Sequence, residues 1–245
     1  MIKAEGRLRA AINRAYIDPK DQSEPIYDGV VDPDQYACAS PRIMWMLKEP
    51  YDDGRERKGG GWSLTELLKN DTDRMSRQRA FQPICYICYG IWSGIADWNI
   101  MPWLRDSEAI RNGLKKIVFI NVSKLPGLKS SSWGSIAKSY EDHRILLLDQ
   151  INTYGPNLIF ACDPHVNLIA RDLGISAPNW KWFGSAAVIQ TAAEQRLVWV
   201  GHPSQRTDRA AYVNDAIRAA TSEIPKFHGD MEAGRTGQLG SKVGI

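Results

Sequence analysis

The sequence predicts an α/β fold: a three-layer α/β/α domain around a mainly parallel four-stranded central sheet. Four short apolar runs of strand length recur at wide spacing: Ile43 to Leu47, Ile117 to Asn121, Leu158 to Cys162 and Leu197 to Gly201. Helical patterns lie between them, and strands alternating with helices of this length point to a parallel sheet covered on both faces. The chain has 245 residues, enough for one domain with a substantial core.

Taken in order, residues 1 to 16 form an amphipathic helix, with Ile2, Leu8, Ile12 and Tyr16 near one face and Arg7, Arg9 and Arg14 off it. Residues 18 to 42 are rich in Pro and Asp and read as a long connecting segment. After the first strand, Ser63-Leu-Thr-Glu66 is a capping box that opens a helix through Leu68. Residues 73 to 95 read as a long helical stretch interrupted by Pro83. Residues 135 to 152 carry Ile136, Tyr140, Ile145, Leu147, Leu148 and Ile151 and end in Tyr-Gly-Pro, a stop signal. Asp163-Pro164 starts a helix that ends at Gly174, and Asp208 to Ser222 forms the last one. Residues 1 to 225 make one domain. Residues 226 to 245, with five glycines and no periodicity, read as a flexible tail.

Composition is average: 43% apolar, 24% charged and 9% aromatic, which excludes disorder, collagen and coiled coil as whole-chain descriptions. The 31 Lys and Arg exceed the 28 Asp and Glu by a formal charge of +3, too little to argue for nucleic acid by itself. No stretch approaches the ~18 consecutive apolar residues of a membrane helix, and the N-terminus lacks a signal-peptide core. A cytoplasmic location is expected, with no membrane and no obligate protein partner. Of Cys38, Cys85, Cys88 and Cys162, the CxxC pair lies in an apolar helical run. The spacing matches no familiar cluster pattern, so thiols are expected rather than an iron–sulfur centre or zinc. Trp180 and Trp182 flank Lys181, either as a stacking patch for bases or as packing against a sheet edge.

In a parallel sheet, sites gather beyond the carboxyl ends of the strands. There the chain places Lys48-Glu49-Pro50-Tyr51, Asn121-Val122-Ser123-Lys124, Cys162-Asp163-Pro164-His165 and Gly201-His202-Pro203-Ser204. His165 is a secondary candidate; an N-cap or surface role is expected for it. A carboxylate, an amide and a histidine would then share one rim.

These segments resemble those of the uracil-DNA glycosylase superfamily. MWMLKEPYDDGRERKGGGWSL is similar to its first motif, in which a strand runs into Gly-Gln-Asp-Pro-Tyr-His and a Gly-rich turn leads to an aromatic residue and Ser. VFINVSK is similar to the strand that delivers a base-reading Asn, here Asn121, and VWVGHPSQRTDR to the His-Pro-Ser segment. The likeness runs over roughly residues 43 to 220. It implies a DNA-binding enzyme of DNA repair that excises uracil or another deaminated base, with Tyr51 crowding the position of the thymine methyl.

The residue types suit that chemistry. Breaking an N-glycosidic bond builds positive charge on the sugar and negative charge on the departing base. Glu49 is placed to stabilise the cation and orient a water. His202 can donate an N–H to the base oxygen even when neutral. Asn121 offers both donor and acceptor to a base edge, and Trp62 offers a stacking surface. Base flipping costs a few kcal/mol, roughly, which phosphate contacts must offset. Lys124, Lys129, Ser204, Gln205, Arg206 and Arg209 are the expected DNA-facing residues, and RERKGGG is either a phosphate clamp or a turn. No metal or organic cofactor is required. Lys48, Glu49 and Asp52 depart from the family's Gln, Asp and His. These changes keep two other readings open: a base-binding protein without fast chemistry, and a glycosidic hydrolase of free nucleosides or nucleotides. The positive charges of Arg55, Arg57, Lys58, Lys124, Lys129, Arg206 and Arg209 are expected to make the rim basic.

Overall fold

The computed structural model describes residues 2–16, 23–52, 59–127, 132–163, 165–175, 178–205 and 207–223. They form one mixed sheet of seven strands between two layers of helices. The strands are β1 (Gly29–Val30), β2 (Ile43–Leu47), β3 (Ile117–Asn121), β4 (Leu158–Cys162), β5 (Lys181–Phe183), β6 (Ala186–Gln190) and β7 (Arg196–Val200), in spatial order β1-β3-β2-β4-β7-β6-β5.

The four expected strands are the parallel centre of this sheet, β3-β2-β4-β7. The expectation of four strands is corrected by three antiparallel additions: β1 on β3 at one edge, and the β6–β5 extension beyond β7 at the other. β1 is two residues long, so no side-chain period shows in it. It also makes the segment 18 to 42 more than a connection, together with α2 (Pro33–Ala37), capped by the Asp32 side chain. Asp18 to Gln22 lie outside the described residues.

β2, β3 and β4 are buried at every position, as strands covered on both faces must be. Alternation divides the core. Ile43, Trp45, Leu47 and Phe119 face one cluster; Met44, Met46, Val118 and Ile120 face the other. The first cluster is closed by α3 (Leu64–Asn70), α4 (Thr72–Ser76), α5 (Phe81–Ser93), α6 (Glu108–Asn112) and α9 (Arg209–Thr221). The second is closed by α1 (Ile2–Tyr16), α7 (Trp133–Tyr154) and α8 (Val166–Asp172).

Ser63 caps α3 by accepting the Glu66 N–H at 3.3 Å, as its capping box predicts. Pro83 does not interrupt α5. It sits in the first turn, where its missing N–H has no carbonyl to serve, and the helical stretch breaks upstream, between Ser76 and Phe81. Trp180 and Trp182 pack around Trp199, with ring centroids 5.4 and 5.3 Å away, on the sheet extension. The tail from 226 onward lies outside the described residues. No described helix is long and apolar enough to cross a membrane.

Candidate functional site

After β2 the chain turns toward α3, on one face of the sheet; after β4 it turns toward α8, on the other. Such a divergence at the carboxyl ends of the central strands is where α/β sheets place their ligands. Lys48 and Glu49 follow β2, Asn121 ends β3, His165 follows β4 and His202 follows β7. Asn121 pairs with Leu47, so it is level with the residue before Lys48. His202 is two strands from Glu49, about 10 Å by the strand spacing.

The β2–β3 pairing continues past both strands. The Val122 and Ser123 N–H groups donate to Leu47 O and Lys48 O, each at 2.9 Å, and the Gly127 N–H donates to Pro50 O at 2.8 Å. These bonds fix where the Glu49 side chain starts, and Gly127 fixes where it ends. A Cβ added at Gly127 would come within 2.3 Å of Glu49 Cγ. Beyond it, Tyr51 is exposed on the rim. Asp52, where the resembled motif has His, accepts the Trp62 indole N–H at 2.8 Å and the Gly60 N–H at 2.9 Å. Its carboxylate thereby ties the glycine turn to the β2 exit and fixes the Trp62 ring. Gly60 has φ +80°, and a Cβ there would lie 1.7 Å from Glu24 O. The glycines of RERKGGG thus make a packed turn. Arg55, Arg57 and Lys58 lie outside the described residues.

His202 is half-buried. Its Nδ1 accepts the Ser204 backbone N–H at 3.2 Å and lies 2.8 Å from Ser204 Oγ. An N–H can only donate, so the ring proton of neutral His202 sits on Nε2. Burial, and then the charge of Lys48, push its pKa down to about 4. Ser204 is therefore the residue that orients His202. Gln205 folds back, its amide so near Gly201 that a Cβ there would collide at 2.2 Å. Arg209 turns to the Gln82 carbonyl oxygen on α5. Arg206 and Lys129 lie outside the described residues.

Lys124 is corrected outright as a phosphate ligand. Its ammonium is fully buried and donates to Asp28 Oδ1 (2.9 Å) and Oδ2 (2.8 Å), Asn121 O (2.8 Å) and Gln150 Oε1 (2.9 Å). Asp28 also accepts the Asn121 backbone N–H at 2.6 Å, and the Asn121 side-chain Nδ2 lies 3.5 Å from it. Asn121 is 1% exposed, so its amide belongs to the wall of the site rather than to its open rim. Of the seven charges expected at the rim, two are described: Lys124 is sealed and Arg209 is engaged by Gln82, while the other five lie outside the described residues.

His165 is no surface residue. It is fully buried at the start of α8, and its Nε2 meets Met46 O at 3.3 Å. A carbonyl only accepts, so Nε2 carries the proton, and Nδ1 is left without a hydrogen-bond partner among the described residues. Burial first, opposed by the Met46 bond, lowers its pKa to about 3; the Lys48 charge and His202 add to the fall. Asp28, Gly127 and His165 matter more than their sequence contexts suggest. Asp28 is 96 residues from Lys124, and nothing local marks the pairing.

Both histidines have folded-state pKa values below the ordinary 6.5, so the unfolded chain takes up protons first as pH falls. Their neutrality stabilises the fold fully above pH 6.5. That stability is lost on acidification toward pH 4 for His202 and pH 3 for His165, by on the order of a few kcal/mol each. Urea midpoints at pH 7, 5.5 and 4.5 are expected to fall steadily, and His165→Gln is expected to flatten the fall. Equal slopes in both proteins would exclude this account.

Cys85, Cys88 and Cys162 are buried in one core cluster, while Cys38 is exposed at the end of α2. Burial pushes the Cys88 thiol up to about 12 and the Cys85 and Cys162 thiols upward as well. Among the described residues no three His, Cys, Asp or Glu side chains are grouped as metal ligands.

No model of a known family matches this chain, and no curated protein does. The functional reading therefore rests on the site.

Proposed function

We propose that this protein is a DNA base-excision glycosylase, divergent within the uracil-DNA glycosylase superfamily, that hydrolyses the N-glycosidic bond of uracil or another deaminated base. One observation carries the reading. Glu49 is pinned over Gly127 at the end of β2, and His202 is held neutral, with its proton on Nε2, at the end of β7. A nucleoside fits between groups about 10 Å apart. The carboxylate faces the cation that forms on the sugar, and the imidazole N–H meets the anion that forms on the base.

In the reaction, the bond from C1′ to the base nitrogen breaks and its electron pair leaves with the base. A water oxygen bonds to C1′, and its proton passes to Glu49 or to solvent. Trp62 presents the stacking face and Tyr51 the rim contact, and the base is flipped from the duplex to reach them. DNA is the proposed partner, with no metal or cofactor in the mechanism.

A second reading has a specific observation in its favour. Burial of Lys124 removes one expected phosphate contact, as suits a glycosidic hydrolase of free nucleosides or nucleotides. The test incubates the protein with single- and double-stranded oligonucleotides containing uracil, hypoxanthine or xanthine, and with free deoxyuridine. Alkali-labile abasic sites in the oligonucleotides are the expected result. Base release from deoxyuridine alone would select the second reading. DNA binding with no release would leave a base-binding protein.

A further inference from the structure

Asp52 stands where the resembled motif has His, and the chemistry above gives it no part. Its backbone N–H donates to Gly127 O at 3.1 Å. Gly127 is the residue on which Glu49 Cγ, Cδ and Oε1 are seated. Its side-chain Oδ2 accepts the Trp62 indole N–H at 2.8 Å and the Gly60 N–H at 2.9 Å. One residue thus bonds through its backbone to the seat of the carboxylate and through its side chain to the stacking ring.

Trp62 is half-buried. Its carbonyl accepts the Tyr27 N–H at 2.9 Å, and its side chain packs against the first core cluster. The bond from the indole edge to Asp52 fixes which way the ring is turned, because that N–H leaves a rigid plane in one direction. Stacking depends on the turn of the ring, since a base gains its contact only against the ring face. A carboxylate suits this task better than an imidazole does. One carboxylate oxygen takes both donors here, whereas a neutral imidazole has a single acceptor nitrogen.

We propose that Asp52 is a positioning residue of this site: it holds the Trp62 ring as the wall on which the flipped base stacks, in register with Glu49 at the sugar. This role rests on the glycosylase reading. Asp52→Ala removes side-chain contacts alone, and the backbone bonds that seat Glu49 stay in place. Its effect therefore falls on how tightly the base is held and spares the bond-breaking step.

The experiment measures single-turnover base release under excess protein from oligonucleotides carrying uracil, hypoxanthine or xanthine, which separates the half-saturating protein concentration from the maximal rate. Asp52→Ala is expected to raise the half-saturating concentration about 10-fold and to leave the maximal rate within about 3-fold of wild type. Asp52→Asn keeps an oxygen for the indole N–H and should recover most of the affinity. Trp62→Ala should weaken binding at least as much as Asp52→Ala, and the double variant no further than Trp62→Ala. An unchanged half-saturating concentration in Asp52→Ala, an Asp52→Asn protein as weak as Asp52→Ala, or a double variant that sums the two losses would each overturn the role while leaving the glycosylase reading intact. Absence of release by the wild type from all three substrates would overturn that reading and this role with it.

Discussion

Asp28→Ala is expected to destabilise the protein by about 3–5 kcal/mol, the usual cost of removing one member of a buried ion pair. Asp28 and Lys124 are both fully shielded from solvent. Burial lowers the Lys124 pKa, and the attraction of Asp28 is what opposes that fall. Without Asp28, the ammonium loses its compensating charge and two of its four acceptor contacts. The Gln150 amide and the Asn121 backbone N–H lose an acceptor as well. Lys124 then gives up its proton on folding. Because the unfolded chain keeps that proton below the usual lysine range, the variant should gain stability as pH rises from 7 toward 10. Lys124→Met with Asp28→Leu removes both charges and should recover part of the loss. Urea denaturation at pH 7 and pH 9 reads all of this. A loss below about 1 kcal/mol for Asp28→Ala would mean that the pair is not buried as described.

The same network marks the limit of what a sequence discloses. The four central strands are legible because each carries a continuous apolar run of four or five residues, long enough to register against its flanks. β1 and β5 are two and three residues long, and β6 begins Ala-Ala, so none of them has a pattern to read. Positions at the strand ends are legible too, since the parallel order fixes the end of the sheet at which Glu49, Asn121 and His202 lie. Side-chain direction is not. Lys124 is three residues beyond β3, and whether it points to solvent or inward depends on Asp28, in a segment whose Pro and Asp content suggests only a connection. Asp52 looks like a damaged motif position, yet it is the link between the glycine turn and the β2 exit. Ser204 follows the histidine as a DNA-facing residue would, and its backbone N–H also sets that histidine's tautomer, which its place in the sequence does not disclose. Contacts made across ninety or more residues leave no local trace.

Glu49→Gln is expected to slow base release by about 10²–10⁴-fold, since the amide keeps the shape of the carboxylate but not its charge or its basicity. Folding should be unaffected, because Glu49 lies at a strand exit and not in either core cluster. Its carboxylate position depends on a residue with no chemistry of its own. The Cβ of Gly127→Ala would fall within 2.6 Å of three Glu49 atoms, Cγ, Cδ and Oε1, so the side chain must swing away. Gly127 is tied on both sides, through its N–H to Pro50 O and its carbonyl to the Asp52 N–H, which limits how far the backbone can yield. A displacement of about 1 Å at a reacting group can cost on the order of 10²-fold in rate. Gly127→Ala should therefore approach the Glu49→Gln rate while leaving DNA binding intact. The double variant should be scarcely slower than Glu49→Gln alone, because the displaced group has already lost its charge. Multiplicative losses in the double variant would show that Gly127 acts through something other than Glu49. A wild-type rate for Glu49→Gln would remove the carboxylate from the mechanism.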